Sequence, residues 1–299
     1  MIDVTLLGTG GMMPLPNRML TSLYVRYEGH CLLVDCGEGT QTAIRCAKLR
    51  INPIDAILIT HFHADHVSGL PGLLLSLGNE ARTEPITIYG PYGVEKIVNS
   101  LRVIAPDLPF EINYCEFDPQ KETHFSCIGL EIDAIPLYHR IPCLGYKFSL
   151  ERIGKFNPEI AKEKGIPVNL WGRLQKGECV DGFRPEDVLG EKRRGLSLLY
   201  ATDTRPVDGI RKYGEGVDLL ILEGMFGEEE KLERAIETHH MLMREATEIA
   251  RDALASELWL THFSPATPEP KLFEDELRKI FPNTVIGTDG LSKTLVFID

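Results

Sequence analysis

Ile54-Asp55-Ala56-Ile57-Leu58-Ile59-Thr60-His61-Phe62-His63-Ala64-Asp65-His66 is the stretch that decides how this 299-residue chain is read. Its first seven residues form a short apolar run of the kind that becomes a strand. Its last six hold three of the chain's nine histidines and an aspartate. Strand ends that feed loops are where a rigid scaffold presents functional side chains. Imidazole suits zinc-class ions, and His61 and His63 can point the same way if the chain stays extended. Asp65 and His66 can then turn toward a second ion. Histidines satisfied by backbone carbonyls in a turn are the plain alternative, and three in six residues are a poor fit to it.

Working outward, Ile2–Leu7 alternates apolar and polar residues before Gly8-Thr9-Gly10-Gly11 interrupts it. The spacing predicts strands at Ser22–Tyr27, Cys31–Cys36, Ile54–Thr60 and Ile86–Tyr89, and helices at Gly39–Leu49, Leu70–Leu77 and Gly93–Ile104. Strands dominate from Phe110 to about Leu150. The second half repeats the theme, with strands at Leu196–Ala201, Leu219–Leu222 and Leu258–Thr261. Its helices are predicted near His240–Ala255 and at Lys271–Ile280, and two strands close the chain. Two mixed halves of this kind predict an α/β fold with two sheets face to face and helices outside. The segment Glu151–Arg194, rich in Lys, Glu, Gly and Pro, fits neither pattern and reads as an insertion.

Three further candidate ligands sit in the same context, just after an apolar strand. They are His139 after Leu130–Ile135, Asp203 after Leu199–Ala201, and His262 after Leu258–Thr261. Alone, each is more simply a cap or a surface residue. With His61, His63, Asp65 and His66 they supply seven ligands, enough for two ions with Asp203 between them. Asp35, a strand-end carboxylate before Gly37, suits orientation of a ligand imidazole and equally a plain turn.

These motifs, in this order, resemble the metallo-β-lactamase superfamily and, within it, the ribonuclease Z family. The resemblance also takes in Leu6-Leu7-Gly8-Thr9-Gly10, Asp35-Cys36-Gly37-Glu38-Gly39-Thr40-Gln41, Glu223-Gly224-Met225-Phe226, Thr261-His262-Phe263-Ser264 and Phe281-Pro282-Asn283-Thr284. It implies a four-layer αβ/βα sandwich in a single domain spanning 1–299, with an inserted arm at 151–194 that grips tRNA. It implies a first ion on His61, His63, His139 and Asp203, and a second on Asp65, His66, Asp203 and His262. The ions would be divalent, with zinc first and manganese or iron as alternatives. The implied reaction is removal of the 3′ trailer from precursor tRNA by hydroxide held at the ions, with Asp65 handling the water. His240 would act in proton transfer and Glu223 would hold it, although His240-Met241-Leu242 departs from the usual His-Ser-Thr and His239 is adjacent. Arg18, in a first loop that keeps only Pro14 and Arg18 of the family pattern, and Trp171, in the arm, are the candidate RNA contacts. A homodimer is also implied.

Composition bounds these expectations. A 43% hydrophobic, 25% charged chain is an ordinary globular protein, not a disordered one. No apolar run is long enough for a bilayer, and Met1-Ile2-Asp3 lacks the features of a secretory signal, so the expected place is the cytoplasm without membrane contact. Seven cysteines without a Cys-x-x-Cys pair argue against a disulfide framework, and Cys31, Cys36, Cys115, Cys127 and Cys143 read as buried thiols. The net charge of −12 opposes RNA binding unless the basic residues cluster or bound cations carry the site. They do cluster: Glu151–Arg194 holds ten basic and eight acidic residues, the rest of the chain 22 and 36. Another hydrolase on the same scaffold, acting on a different phosphodiester, on nucleic-acid ends or on a small molecule, is the alternative activity. A non-catalytic metal-stabilised RNA-binding protein is the alternative class.

Overall fold

Successive residues of a strand face opposite sides, and Cys31-Leu32-Leu33-Val34 is apolar throughout because both sides are covered. In the computed structural model, which describes residues 1–298, Leu32 and Val34 face a second sheet while Cys31 and Leu33 face helices. The first sheet takes β1 (Ile2–Gly8), β2 (Ser22–Tyr27), β3 (His30–Val34), β4 (Ile54–Leu58), β5 (Ile86–Pro91) and β6 (Ile112–Phe117). The second takes β7 (Thr123–Cys127), β8 (Leu130–Leu137), β9 (Cys143–Arg152), β10 (Arg193–Ala201), β11 (Leu219–Glu223), β12 (Leu258–Thr261) and β13 (Thr284–Ile286). The last strand, β14 (Ser292–Leu295), returns to pair with β1. Between the sheets Val25, Leu58, Phe148, Tyr200 and Trp259 interlock. Outside, Leu70–Asn79 packs on the first sheet and Met243–Asp252 on the second, giving the four-layer sandwich. No helix among the described residues is long and apolar enough to cross a membrane.

Strand direction determines where the site falls. In each sheet one half is antiparallel and the other parallel: β3 to β6 in the first, β10 to β13 in the second. Because β8 and β10 both run against β9, β8 shares the direction of β10, β11 and β12. The chain positions after β8, β10 and β12, carrying His139, Asp203 and His262, therefore share one edge of the second sheet. Those after β3 and β4, carrying Asp35 and His61, share one edge of the first. The two edges are tied together: the Leu144 N–H donates to the Thr60 carbonyl at 3.0 Å, and the Tyr146 hydroxyl to the Ile59 carbonyl at 2.7 Å.

Several expected boundaries move, each for a local reason. The third strand ends at Val34, because Asp35 takes a left-handed turn at φ 60°. The helix expected from His240 starts at Met243; residues 240–242 stay extended, and the Leu242 N–H is taken by the Glu245 carboxylate at 2.9 Å. Short helices at Ala64–Val67, Asp208–Gly214 and Leu232–Thr238 were not legible from periodicity. Cys115 and Cys127 are half-buried rather than buried, and all seven cysteines are free thiols.

The insertion is narrower than 151–194, since Glu151-Arg152 belong to β9 and Arg193-Arg194 to β10. It is also folded rather than linker-like. Asn157 caps the helix Pro158–Glu163 by accepting from the Glu159 and Ile160 N–H groups, and a second helix spans Val168–Leu174. Ile166, Leu170, Leu174, Val180 and Val188 form a small core of their own. Trp171, a candidate RNA contact, packs half-buried against Phe156 and donates its indole N–H to the Ile166 carbonyl at 3.0 Å. These contacts tie it to the arm's own core.

The Tyr146 hydroxyl is fully buried between the sheets. Tyr146→Phe leaves the Ile59 carbonyl without that donor and is expected to lower stability by about 1–3 kcal/mol. A fall in the urea midpoint with an unchanged slope would register it; an unchanged midpoint would mean the tie contributes nothing.

Candidate metal centre

Each site residue is aimed by the backbone that carries it. His61 and His63 follow β4 in extended chain, and the short helix Ala64–Val67 then swings Asp65 and His66 inward. Asp35, Asp203 and His262 all have left-handed φ, at 60°, 57° and 56°. Left-handed backbone is uncommon outside glycine and concentrates where function requires a side chain to be turned. Asp203 and His262, each one or two residues past a parallel strand, are buried by that turn.

Two main groups of donor atoms result, and Asp203 and His262 also form a third with His240. In the first, His63 Nδ1 lies 3.0 Å from His61 Nε2 and 3.2 Å from His139 Nε2, with Asp203 Oδ1 3.7 and 3.9 Å from those Nε2 atoms. In the second, His66 Nε2 and His262 Nε2 are 3.2 Å apart, and Asp203 Oδ2 is 3.2 and 3.3 Å from them. Asp65 Oδ2 completes this group, 3.7 Å from His66 Nε2 and 3.3 Å from His262 Nε2. Within each of the sets His61, His63, His139, Asp203 and Asp65, His66, His262, the candidate ligand atoms lie within 4.8 Å of one another. Asp203 stands between the sets.

The outward ring nitrogens explain why these atoms suit a cation. His66 Nδ1 faces the Asp35 carboxylate at 2.7 Å, His139 Nδ1 faces the His239 carbonyl at 3.2 Å, and His61 Nδ1 lies 3.0 Å from Thr60 Oγ1. Thr60 Oγ1 donates to Asp35, so it can accept from His61. With the protons outward, the inward nitrogens present lone pairs to one another and to carboxylates. Asp203 Oδ2 is buried without a hydrogen-bond donor. Buried acceptors facing acceptors are unfavourable unless a cation lies among them. The demand for positive charge shows in the electrostatics: burial opposes charge on His66, yet the Asp203 and Asp35 carboxylates outweigh it and draw its pKa well up, so that a proton takes the place that a cation would fill. Burial alone would raise Asp203, but the imidazoles of His262 and His66 hold it well below the usual carboxylate range. Burial lowers His139 to about 4, keeping it a neutral donor. A nitrogen-and-carboxylate set of this kind fits two divalent ions.

His240 enters beside this centre. Its ring lies 5.0 Å from that of His139 and 5.7 Å from that of His262, and Nδ1 is 3.0 Å from Glu223 Oε2. Glu223 is fully buried, and its other oxygen accepts from the Thr204 N–H at 2.6 Å. Burial opposes charge on His240, and the Glu223 carboxylate overcomes it, raising the pKa. His239 points elsewhere, stacked at 4.7 Å on the exposed Tyr138. Arg18 lies outside the centre. Its guanidinium donates to the Thr267 and Pro268 carbonyls at 3.2 and 2.9 Å, bracing the first loop against the loop after β12.

Some contributors carried no sequence signal strong enough to single them out. Thr60 links Asp35 to His61 through its hydroxyl. The Met12 N–H donates to Asp65 Oδ2 at 2.7 Å. Gly11 is set by close approach: a Cβ there would fall 2.6 Å from His262 Cε1. Its place in Gly8-Thr9-Gly10-Gly11 marked a break in the strand pattern but not a wall of the site.

Asp35 accepts from the Thr60 N–H at 2.8 Å as well as facing His66. Elemental analysis of the wild-type chain is expected to find close to two transition-metal ions, the number its two donor sets would hold. Asp35→Asn is expected to weaken the second ion's binding by about 10–100-fold, the usual effect of losing a group that orients a ligand. Chelator competition measures this directly, and unchanged affinity would remove Asp35 from the centre's support.

Comparison with known proteins follows the same lines. A profile of the metallo-beta-lactamase superfamily matches residues 16–160, and one of the beta-lactamase superfamily domain matches residues 175–263. Ribonuclease Z of Lachnospira eligens is 50% identical, covering 100% of this chain and 99% of that protein. Ribonuclease Z of Lachnoclostridium phytofermentans is 49% identical, covering 99% of each. Among solved structures, the short form of human tRNase Z superposes with a TM-score of 0.72 at 25% identity, over 99% of this chain and 100% of that one. Since this likeness runs through both sheets and the arm between β9 and β10, the chain belongs to the ribonuclease Z family of the metallo-β-lactamase superfamily.

Proposed function

We propose that this protein is a metal-dependent endoribonuclease that removes the 3′ trailer from precursor tRNA. The observation that carries the reading is the buried pair of donor sets sharing Asp203, with the His240–Glu223 pair directly beside them. His61, His63, His139 and Asp203 would hold one ion, and Asp65, His66, His262 and Asp203 the other, zinc being the ion such imidazole-rich sets favour. Ions so held supply Lewis acidity to a phosphodiester and lower the pKa of water. The chain's own groups handle the protons. Water adds across the phosphodiester: its oxygen bonds to phosphorus, and one of its protons passes to Asp65. The bond to the leaving oxygen breaks, and that oxygen takes the proton from His240 Nε2. Glu223 holds Nδ1 and stabilises the charged ring, so the free nitrogen is the one that donates.

The arm is read as the tRNA-binding exosite. β9 leaves the site edge at Cys143 and runs to Arg152, so ten residues of strand place the arm's root roughly 30 Å from the metal centre. Lys155, Lys162, Lys176 and Arg184 are exposed there without an ion-pair partner among the described residues. Phosphate contacts made that far away position the substrate without taking part in the chemistry. A homodimer working in the cytoplasm belongs to this reading on the family resemblance alone.

His240→Ala is expected to keep both ions while slowing cleavage of precursor tRNA by about 10²–10⁴-fold, the usual contribution of a general acid. His239→Ala should cleave like the wild type. Single-turnover rates alongside metal content check both, and the reverse pattern would reassign the acid. Replacing Phe156–Leu189 by a short glycine bridge is expected to weaken tRNA binding and flatten its salt dependence. Hydrolysis of a chromogenic phosphodiester should survive the deletion; equal loss on both substrates would make the arm a folding element instead.

A further inference from the structure

Asp203 is followed by Thr204-Arg205, and this short segment touches the loop that carries His139, Glu223 and the segment that carries His240. The Arg205 N–H donates to the Tyr138 carbonyl at 3.1 Å, and Thr204 Oγ1 accepts from the Tyr138 N–H at 3.0 Å, fixing the loop that carries His139. The Arg205 side chain turns the other way. Nη1 donates to the His240 carbonyl at 2.6 Å and to Glu245 Oε2 at 2.9 Å, while Nη2 donates to Glu245 Oε1 at 2.5 Å. Glu245 in turn accepts from the Leu242 N–H, so the extended segment His240–Leu242 is gripped along its length.

We infer that Arg205 is a positioning residue which, with Glu245, holds His240 where its ring can donate to the leaving oxygen. The ring is held at one end by Glu223, and the His240 and Met241 N–H groups donate to the Ala235 carbonyl at 2.8 Å and to Glu223 at 3.2 Å, which leaves the His240 carbonyl as the side of that backbone still to be fixed. Arg205 supplies that missing hold by donating to the carbonyl of the same residue. Only a guanidinium can do this, because its planar fork serves both oxygens of a carboxylate and still has a donor for a carbonyl. A direct role in binding RNA phosphate does not fit: the Arg205 side chain is 16% exposed and its fork is committed to Glu245. The segment it grips lies between two helices, tied to the end of Leu232–Thr238 by the His240 N–H on the Ala235 carbonyl and followed by a helix that begins only at Met243.

The inference rests on the proposed role of His240, and a leaving-group comparison separates the two. Wild type, Arg205→Gln, Arg205→Lys, His240→Ala and the Arg205→Gln/His240→Ala double variant are compared on precursor tRNA and on bis(p-nitrophenyl) phosphate. Nitrophenolate departs without needing a proton, so a group that serves only the acid matters little for that substrate. Metal content and thermal midpoint are recorded for each variant. Arg205→Gln is expected to lower kcat on tRNA by about 100-fold, the scale of a 1 Å misplacement, with KM nearly unchanged and metals retained. Its loss on the nitrophenyl diester should be at least about tenfold smaller. The double variant should fall within about threefold of His240→Ala alone, because two residues acting through one proton donor are not additive. Multiplicative losses, equal losses on both substrates, or wild-type-like cleavage by Arg205→Gln would overturn the inference and leave His240 standing. Wild-type-like cleavage by His240→Ala would overturn both. Should Arg205→Gln fail to fold, Arg205→Lys, which keeps the charge beside Glu245 but not the fork, decides by the same comparison.

Discussion

Asp203 and Asp65 are buried carboxylates whose ion-pair partners among the described residues are all imidazoles, with no lysine or arginine. A buried anion must be paired, coordinated or protonated. Here the inward nitrogens of His66, His61 and His139 are set by Asp35, Thr60 and the His239 carbonyl, which take the outward positions. The centre is thus built around positive charge, from a bound cation or from protons on the imidazoles. Much of the architecture serves to hold these acceptors together against their mutual repulsion.

The two sheets do this through direction. Parallel halves bring several strand ends to one edge, where short turns can gather residues far apart in sequence. Hydrogen bonds from β9 to the end of β4 join the two edges, so the donor sets are bolted across the sandwich rather than hung on loops. Left-handed backbone at Asp35, Asp203 and His262 is the local strain accepted for this, and the packed strands behind it keep that strain from relaxing.

Charge is partitioned in the same molecule. The body is strongly acidic, the arm slightly basic, and the centre becomes positive when its ions are bound. On the proposed reading, an acidic protein would meet a polyanion at two separated places while the rest of its surface repels it, favouring one orientation over general adhesion. The arm's own small core lets it keep its shape at the end of a long hairpin.

The sequence by itself was enough for the layered α/β architecture and for naming seven candidate ligands that the fold brings together. Apolar strands followed at once by His or Asp are a local pattern, and local patterns survive in one dimension. It also raised the pairing of His240 with Glu223, because both stand at recognisable motif positions, but the choice between His239 and His240 waited for the backbone. His239 sits at a left-handed helix end and turns its ring onto Tyr138, while His240 turns inward. Trp171 and Arg18 looked like RNA contacts because aromatic and basic side chains in an insertion or a loop usually face solvent; in space one packs half-buried against the arm's core and the other clamps two loops. Thr60, Gly11, the Met12 N–H and Arg205 were invisible for a common reason. Each matters through a partner that only folding brings near, such as Gly11 against His262 and Arg205 against Glu245. Which residue is chemically able to act is written in its side chain, but which atom it faces depends on how the two sheets close on one another.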